Sequence, residues 1–132
     1  MTDFPNIRLG IPAGDTLTPG QPIIQRVTNT ELRLIEPYAA VWDGGRLDVI
    51  KGFVCDLSSI PRVLHSLIPK TGLHDGPSVL HDWAYQHRLN SRKWADEMFL
   101  SAMVAAGVGW VRRNTMYLGV RAGGWAAWAD DD

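Results

Sequence analysis

The hydrophobic and polar positions divide the chain into a β-rich first part and a helical second part. Two strand-like runs, Leu32–Trp42 and Arg46–Val54, flank the tight-turn sequence Asp43-Gly44-Gly45, and this combination predicts an antiparallel hairpin. Residues 1–30 are rich in proline, glycine, threonine and asparagine, which predicts an extended lead-in with one short strand at Ile23–Val27. The first part is therefore expected to form a small antiparallel sheet.

Helices are predicted after Asp56, where the apolar spacing changes from that of a strand to that of a helix. Ser59 and Pro61 predict the start of a short first helix. The sequence Asp75-Gly76-Pro77 predicts a second helix, with a cap candidate and an early proline, that ends near Arg88.

A third helix, capped by Ser91, has the clearest apolar stripe in the chain. Its members recur at spacings of three and four: Ala95, Met98, Phe99, Ala102, Met103 and Ala106. A fourth helix is predicted over Trp110–Val120 and is expected to end at Gly123-Gly124. Because the second and third helices are joined by so few residues, we expect them to lie antiparallel. The predicted fold class is α+β, a small antiparallel hairpin or sheet followed by a helical bundle, in a single domain over residues 31–129 with an acidic tail at 130–132.

Composition narrows the class of protein. A chain of 132 residues with 45% apolar and 20% charged residues is expected to fold as a single globular domain. No apolar run approaches the roughly 20 residues that span a bilayer, the first residues do not read as a signal peptide, and the single cysteine, Cys55, excludes an internal disulfide. Residues 61–129 hold eight basic and four acidic side chains, a balance too weakly basic to predict nucleic-acid binding.

One polar group stands out in the helical part: His81, Asp82 and Tyr85 on the second helix, and Asp96 on the third. Asp96 falls in or beside the apolar stripe, where a carboxylate is costly to desolvate unless it has a partner. The antiparallel helix pair places it opposite His81, so we expect a hydrogen bond between the two. Such a pair can act as a general base, because the imidazole takes a proton from water and the carboxylate stabilises the imidazolium. It can equally be a structural bond between helices, with Asp82 either binding a hard cation or lying solvated near the helix start.

The run His81-Asp82-x-x-Tyr85, followed by Ala95-Asp96-x-x-Phe99, resembles the paired catalytic helices of phospholipase A(2), and is most similar to the compact, disulfide-free versions of parvovirus capsids. The resemblance implies that His81 activates water, that Asp82 binds calcium, that Asp96 orients the histidine and that Tyr85 supports Asp96. The family's glycine-rich calcium loop is not matched, since residues 72–76 lie too close to His81 and lack its tyrosine. Calcium is nevertheless favoured over zinc, because His74, His81 and His87 do not repeat at a helical spacing.

A second resemblance covers residues 38–125. The run Gly52-Phe53-Val54-Cys55-Asp56-Leu57-Ser58-Ser59-Ile60-Pro61-Arg62, followed by the His81 and Asp96 motifs and by Met116-Tyr117, resembles the phage and prophage family called domain of unknown function 1353. That family reads Gly-Phe-x-Thr-Asp-x-Ala-Ser-x-Pro, so Cys55 and Ser58 depart from the pattern. The resemblance implies a bacteriophage origin, with the protein in the virion or the host cytoplasm, and assigns no activity.

Asp56 and Ser59 have two interpretations as supporting residues. They could lie beside His81, with Asp56 as a further carboxylate for the imidazole or a metal. Alternatively, Asp56 could accept backbone N–H groups of Ser58 or Ser59 in an Asx-turn that caps the helix entrance. No nucleophile-elbow pattern surrounds Ser59, which disfavours it as a nucleophile.

A candidate partner surface lies late in the chain, where part of an unusual total of six tryptophans falls. Its residues are Trp110, Arg112, Arg113, Trp125 and Trp128. They could meet anionic lipid of the host envelope or another virion protein, or form a solvated basic face over an aromatic core. The oligomeric state is left open.

Two functions therefore remain open. The first is a phage-encoded, water-activating hydrolase of host-envelope esters that uses His81, Asp96 and Tyr85, with a metal at Asp82. The second is a non-catalytic virion or tail accessory protein in which the same cluster is a structural lock between helices.

Overall fold

A computed structural model of the protein describes residues 3–56 and 72–129. In these ranges the chain forms seven strands followed by three helices. The strands are β1 (Arg8–Ala13), β2 (Thr16–Pro19), β3 (Ile24–Arg26), β4 (Glu31–Leu34), β5 (Tyr38–Trp42), β6 (Gly45–Val49) and β7 (Val54–Asp56). The helices are α1 (Asp75–Gln86), α2 (Arg92–Ala106) and α3 (Trp110–Ala129). The predicted α+β class is confirmed, and the helix predicted at Ser59 falls outside the described residues.

The strands form two antiparallel sheets, one in the order β2-β1-β5-β6 and the other in the order β3-β4-β7. The predicted hairpin is confirmed as β5–β6, in which Trp42 pairs with Gly45 across the Asp43-Gly44 turn. The turn requires the positive φ of 99° at Gly44, which glycine adopts without a steric penalty.

Both long strand predictions were wrong in length. The run Leu32–Trp42 divides into β4 and β5, which belong to different sheets, and Pro37 lies in the break because proline cannot donate to a ladder. The run Arg46–Val54 divides at Gly52, which has a φ of 88° and donates its N–H to the carbonyl of Leu34 at 2.9 Å. Each of the two predicted strands therefore contributes one strand to each sheet.

The first 30 residues contain three strands, whereas the sequence predicted only the one now seen as β3. β1 pairs with both β2 and β5 and so lies inside its sheet. Its strand pattern is obscured by Gly10 and Pro12. At Gly10 a Cβ atom would collide with the backbone of Thr18, so the absence of a side chain permits the close pairing.

The helix boundaries agree with the sequence at α2 and differ at α1 and α3. Ser91 caps α2 by accepting the Trp94 N–H at 3.0 Å, and Gly107 ends it with a φ of 87°. α1 begins at Asp75, but its cap position is His74, without a side-chain cap hydrogen bond. α3 continues through Gly123-Gly124 to Ala129, so the predicted end of this helix was wrong.

The buried side chains form two clusters that fix the helices relative to the sheets. The larger cluster joins both sheets to α1 and α2 and includes Leu34, Tyr38, Val49, Leu80 and Met98. The smaller cluster joins α2 to α3 through Phe99, Met103, Val108, Met116 and Val120. Among the described helices, none is long and apolar enough to cross a bilayer.

Candidate functional site

The site is built around the carboxylate of Asp96, which is fully buried on the apolar face of α2. Its Oδ1 lies 2.7 Å from Nε2 of His81 on α1, so the predicted hydrogen bond between the two helices is present. The short 87–91 connection turns α1 and α2 back on each other, which places the two side chains at the same level of the pair. The antiparallel packing of α1 and α2 thus gives the buried Asp96 carboxylate a hydrogen-bond partner in His81.

Tyr85 supports the same oxygen. It lies one helical turn after His81, and its hydroxyl donates to Asp96 Oδ1 at 2.6 Å. The Tyr85 and His81 rings are in contact, with centroids 4.3 Å apart. The contact that the phospholipase resemblance implied for Tyr85 is therefore present, while its role in catalysis stays a prediction.

Two arginines that the sequence analysis did not select hold the other oxygen, Oδ2. Arg121 of α3 donates from Nη1 at 2.9 Å, and Arg92 of α2 lies 3.4 Å away. The same Arg92 group also donates to the carbonyls of Val120 and Arg121, which fastens α3 to the start of α2. The four-residue spacing from Arg92 to Asp96 is a signal that the sequence carries, whereas Arg121 is far along the chain and offers none.

The electrostatics favour an ionised Asp96. Burial by itself would raise the pKa of this carboxyl, but hydrogen bonds from His81, Tyr85 and Arg121 outweigh burial and lower the pKa below its ordinary value. Burial and the neighbouring Asp96 raise the pKa of Tyr85, which keeps its hydroxyl a donor. An ionised carboxylate only accepts hydrogen bonds, so Nε2 of His81 must carry a proton. In the neutral imidazole the lone pair is then on Nδ1.

His81 is closely packed, with 5% of the residue exposed. The ring of Phe99 lies on it with centroids 4.6 Å apart, in addition to the Tyr85 ring. Apolar packing of this kind strengthens the bond to Asp96 by excluding water, and it restricts the approach of a reactant to Nδ1.

Asp82 faces away from this cluster and connects α1 to the sheet. Its Oδ2 accepts the backbone N–H of Asp56 at 2.9 Å and the side-chain amide of Gln86 at 3.1 Å. Burial raises the pKa of Asp82. The structure therefore places Asp56 beside Asp82 through its backbone, while Ser59, and with it the predicted Asx-turn, lies outside the described residues.

A metal cluster is not assembled by the side chains that the structure describes: among them, no three histidine, cysteine, aspartate or glutamate residues converge. His74 and His87 flank opposite ends of α1, about 20 Å apart at 1.5 Å per residue, so neither shares a cluster with the other. The calcium prediction at Asp82 remains a prediction.

The predicted partner surface is divided by the structure. Trp110 and Trp125 are exposed on α3, whereas Trp128 packs against the Tyr85 ring with centroids 5.2 Å apart. Arg112 is exposed, but the side chain of Arg113 turns back to the carbonyl of Val108 at 3.2 Å. These five residues do not form one continuous surface.

A cleft of about 650 Å³ lies elsewhere, between the first sheet and the facing ends of α1 and α2. Its walls include Leu9, Tyr38, Leu73 and Ala106, with Arg8 and Arg46 along the sheet. None of the predicted catalytic or metal residues lines it. The His81–Asp96 pair is therefore separate from this cleft.

Gly124 explains why α3 passes so close to the site. A Cβ atom at this position would collide with the Tyr85 hydroxyl, which Asp96 holds in place. We expect Gly124→Ala to destabilise the protein by up to about 2 kcal/mol, since overpacking costs about 1–3 kcal/mol and the gain in helix propensity returns only about 1 kcal/mol. Urea unfolding measures the change.

Gly109→Ala is the matched control for this prediction. A Cβ atom at Gly109 meets nothing within 4 Å, so Gly109→Ala adds no clash, and its cost is limited to the loss of glycine at the cap position before α3, up to about 1 kcal/mol. An increase in stability for Gly124→Ala would contradict the close contact with Tyr85.

Comparison with protein families shows which family the chain matches. The family described as "Protein of unknown function (DUF1353)" matches residues 32–120, which is more than half of the chain. The matched segment runs from Leu32 in β4 through β5–β7, α1 and α2 to the first half of α3, and so includes His81, Tyr85 and Asp96. Neither the search of curated proteins nor the search of solved structures found a match.

Proposed function

Because the chain belongs to the DUF1353 family, whose function is unknown, we propose an activity from the site itself: a bacteriophage-encoded hydrolase of host-envelope esters, with His81 as its general base. The observation that carries the proposal is the 2.7 Å contact between His81 Nε2 and Asp96 Oδ1. It fixes the tautomer that makes Nδ1 the basic nitrogen. The resemblance to the catalytic helices of phospholipase A(2) supports a phospholipid ester as the substrate. The resemblance to the phage and prophage family supports a phage origin.

The reaction proceeds by attack of water on the ester carbonyl. His81 Nδ1 removes a proton from the water as its oxygen bonds to the carbonyl carbon, and the imidazolium then gives that proton to the departing alkoxide. The ionised Asp96 stabilises the imidazolium through Nε2. Tyr85 and the two arginines prevent Asp96 from turning away from His81. General-base assistance of this kind contributes about 100- to 10,000-fold to a rate.

Calcium at Asp82 stays a proposal, for which the described residues supply few ligands. Calcium takes about six to eight oxygen ligands, and Oδ2 of Asp82 is already engaged by two hydrogen-bond donors. The proposed chemistry therefore relies on His81 and Asp96 alone, and the requirement for a metal is decided by experiment.

The test is hydrolysis of phospholipid vesicles by the purified protein, with released fatty acid as the readout. Separate reactions contain calcium, zinc or a chelator. Release above the vesicle blank in any of them supports the proposal, and release that survives the chelator shows that no metal is needed. No release from anionic or zwitterionic vesicles, or from a soluble short-chain ester, would contradict a hydrolase.

A second candidate function is favoured by a different observation. Asp96 is completely buried and receives donors from all three described helices, which is what a structural lock requires. The protein would then be a non-catalytic virion or tail accessory protein. An inactive wild type whose stability depends strongly on Asp96 supports this candidate.

A further inference from the structure

The outer face of α3 has an apolar stripe that nothing in the described part of the chain covers. Four large side chains form it: Trp110, Val111, Leu118 and Trp125, exposed to 68%, 71%, 64% and 63%. At 100° per residue they fall within an arc of about 100°. The buried residues Met116 and Val120 lie on the opposite side of the helix. The four side chains therefore share one exposed face of α3, although Arg121 and Trp128, which fall in the same arc, turn inward to Asp96 and Tyr85.

The two tryptophans of the stripe lie at equal distances from its centre, whereas Val111 has no counterpart, because the same register places it opposite Gly124. Trp110 and Trp125 mark its two ends, and the point midway between them falls at Tyr117–Leu118. If a second α3 is laid antiparallel across this point, Trp110 of each copy meets Trp125 of the other, and the two Leu118 side chains meet near the centre. A surface that matches itself after a two-fold rotation is what an isologous dimer requires.

The polar residues of the same arc do not oppose this arrangement. Asn114 donates to the carbonyl of Trp110 and Arg121 to Asp96, so both are engaged within their own chain. In the antiparallel register Arg121 of one copy lies opposite Asn114 of the other, and no like charges are brought together. Arg112 lies outside the arc, and Arg113 is turned toward Val108.

The exposed apolar area is sufficient for a weak dimer. At about 150–250 Å² for each fully buried aromatic side chain, the two tryptophans, with the valine and leucine, offer on the order of 500 Å² per copy. The sum for two copies is about 1,000 Å², the lower edge of specific interfaces.

We propose that the α3 stripe is the interface of a two-fold symmetric homodimer, in which two α3 helices pack antiparallel about Leu118. The occupant is a second copy of this chain, because the positions of Trp110 and Trp125 match each other and a lipid surface would impose no such symmetry. The inference is independent of the proposed hydrolase, since no stripe residue belongs to the His81 site.

Sedimentation equilibrium of the full chain over a wide concentration range tests the association. The mean mass of wild type is expected to rise toward twice the monomer mass, and Leu118→Arg is expected to remain monomeric throughout. Ile50→Arg, at an equally exposed apolar position on the sheet side, is the matched control and should associate like wild type. A monomeric wild type at the highest concentration, or association that survives Leu118→Arg, would overturn the proposal.

Cross-linking tests the antiparallel register. In a Cys55→Ala background, a mixture of Trp110→Cys and Trp125→Cys proteins should form a disulfide-linked heterodimer. Each protein alone should not, because identical positions lie about 20 Å apart in this register. If each variant alone forms a disulfide-linked homodimer and the mixture forms no heterodimer, the antiparallel register is wrong. The proposal would also be overturned if wild type sediments with anionic vesicles and Leu118→Arg does not, since the stripe would then be a lipid surface.

Discussion

Replacing Asp96 with alanine is expected to lower the free energy of unfolding by about 3–5 kcal/mol. The carboxylate is fully buried and accepts from His81, Tyr85 and Arg121, so its removal leaves three donors without an acceptor in a site that water enters poorly. The loss should exceed that of an ordinary buried side chain of similar size, because one of the abandoned donors is a guanidinium. Urea unfolding followed by tryptophan fluorescence measures it.

Glu97→Ala is the matched control, since Glu97 is the next residue of the same helix. Its partner Lys93 lies 3.9 Å away in a largely exposed pair, so its removal should cost less than about 1 kcal/mol. A similar small cost for Asp96→Ala would mean that the buried hydrogen bonds contribute little to the fold.

The dependence of stability on pH in acid gives a second test of the Asp96 interactions. Because the pKa of Asp96 is lowered on folding, its ionised form stabilises the native state at pH values above the ordinary aspartate pKa of about 3.9. That contribution is lost as the pH falls through the lowered pKa. The difference in melting temperature between wild type and Asp96→Asn should therefore be constant near neutral pH and shrink in strong acid. A difference that grows in acid would contradict the lowered pKa.

The core of the candidate site could be predicted because it depends on local geometry. The helical period places Asp96 on the apolar face, and the short connection after Arg88 brings α1 against α2. A carboxylate on that face then has few partners within reach, and His81 is one of them. Each step uses residues that lie within about one helical turn or one tight connection of another, which is the range over which sequence patterns determine contacts.

The remainder of the site depends on contacts between distant segments. Arg121 reaches Asp96 only because α3 crosses α2, and that crossing is made possible by Gly124, whose missing side chain admits the Tyr85 hydroxyl. The sequence predicts a helix end at Gly123-Gly124, since glycine has a low helix propensity. Tertiary packing outweighed that propensity. The same reason accounts for β1, whose Gly10 weakens the strand pattern but permits the close pairing with β2.

The proposed base can be tested separately from the fold. In the vesicle assay we expect His81→Asn to lower the hydrolysis rate by about 100- to 10,000-fold, because no other described group within reach of Asp96 can remove a proton from water at neutral pH. KM should change little, since His81 acts on water and not on the bound lipid. Asp96→Asn should also lower kcat, because an amide does not stabilise the imidazolium. Rates are compared per folded molecule, at temperatures where both variants remain native by circular dichroism.

His87→Asn controls for the loss of a histidine from the same helix. His87 lies exposed at the end of α1, where its Nδ1–H donates to the Trp83 carbonyl at 2.9 Å, so its replacement should leave the rate unchanged. Tyr85→Phe removes one donor to Asp96 Oδ1 and keeps the ring, and it should lower the rate by a smaller factor than His81→Asn. If His81→Asn hydrolyses vesicles as fast as His87→Asn does, the base is not His81. The Asp96 network would then act on stability alone, as the structural lock requires.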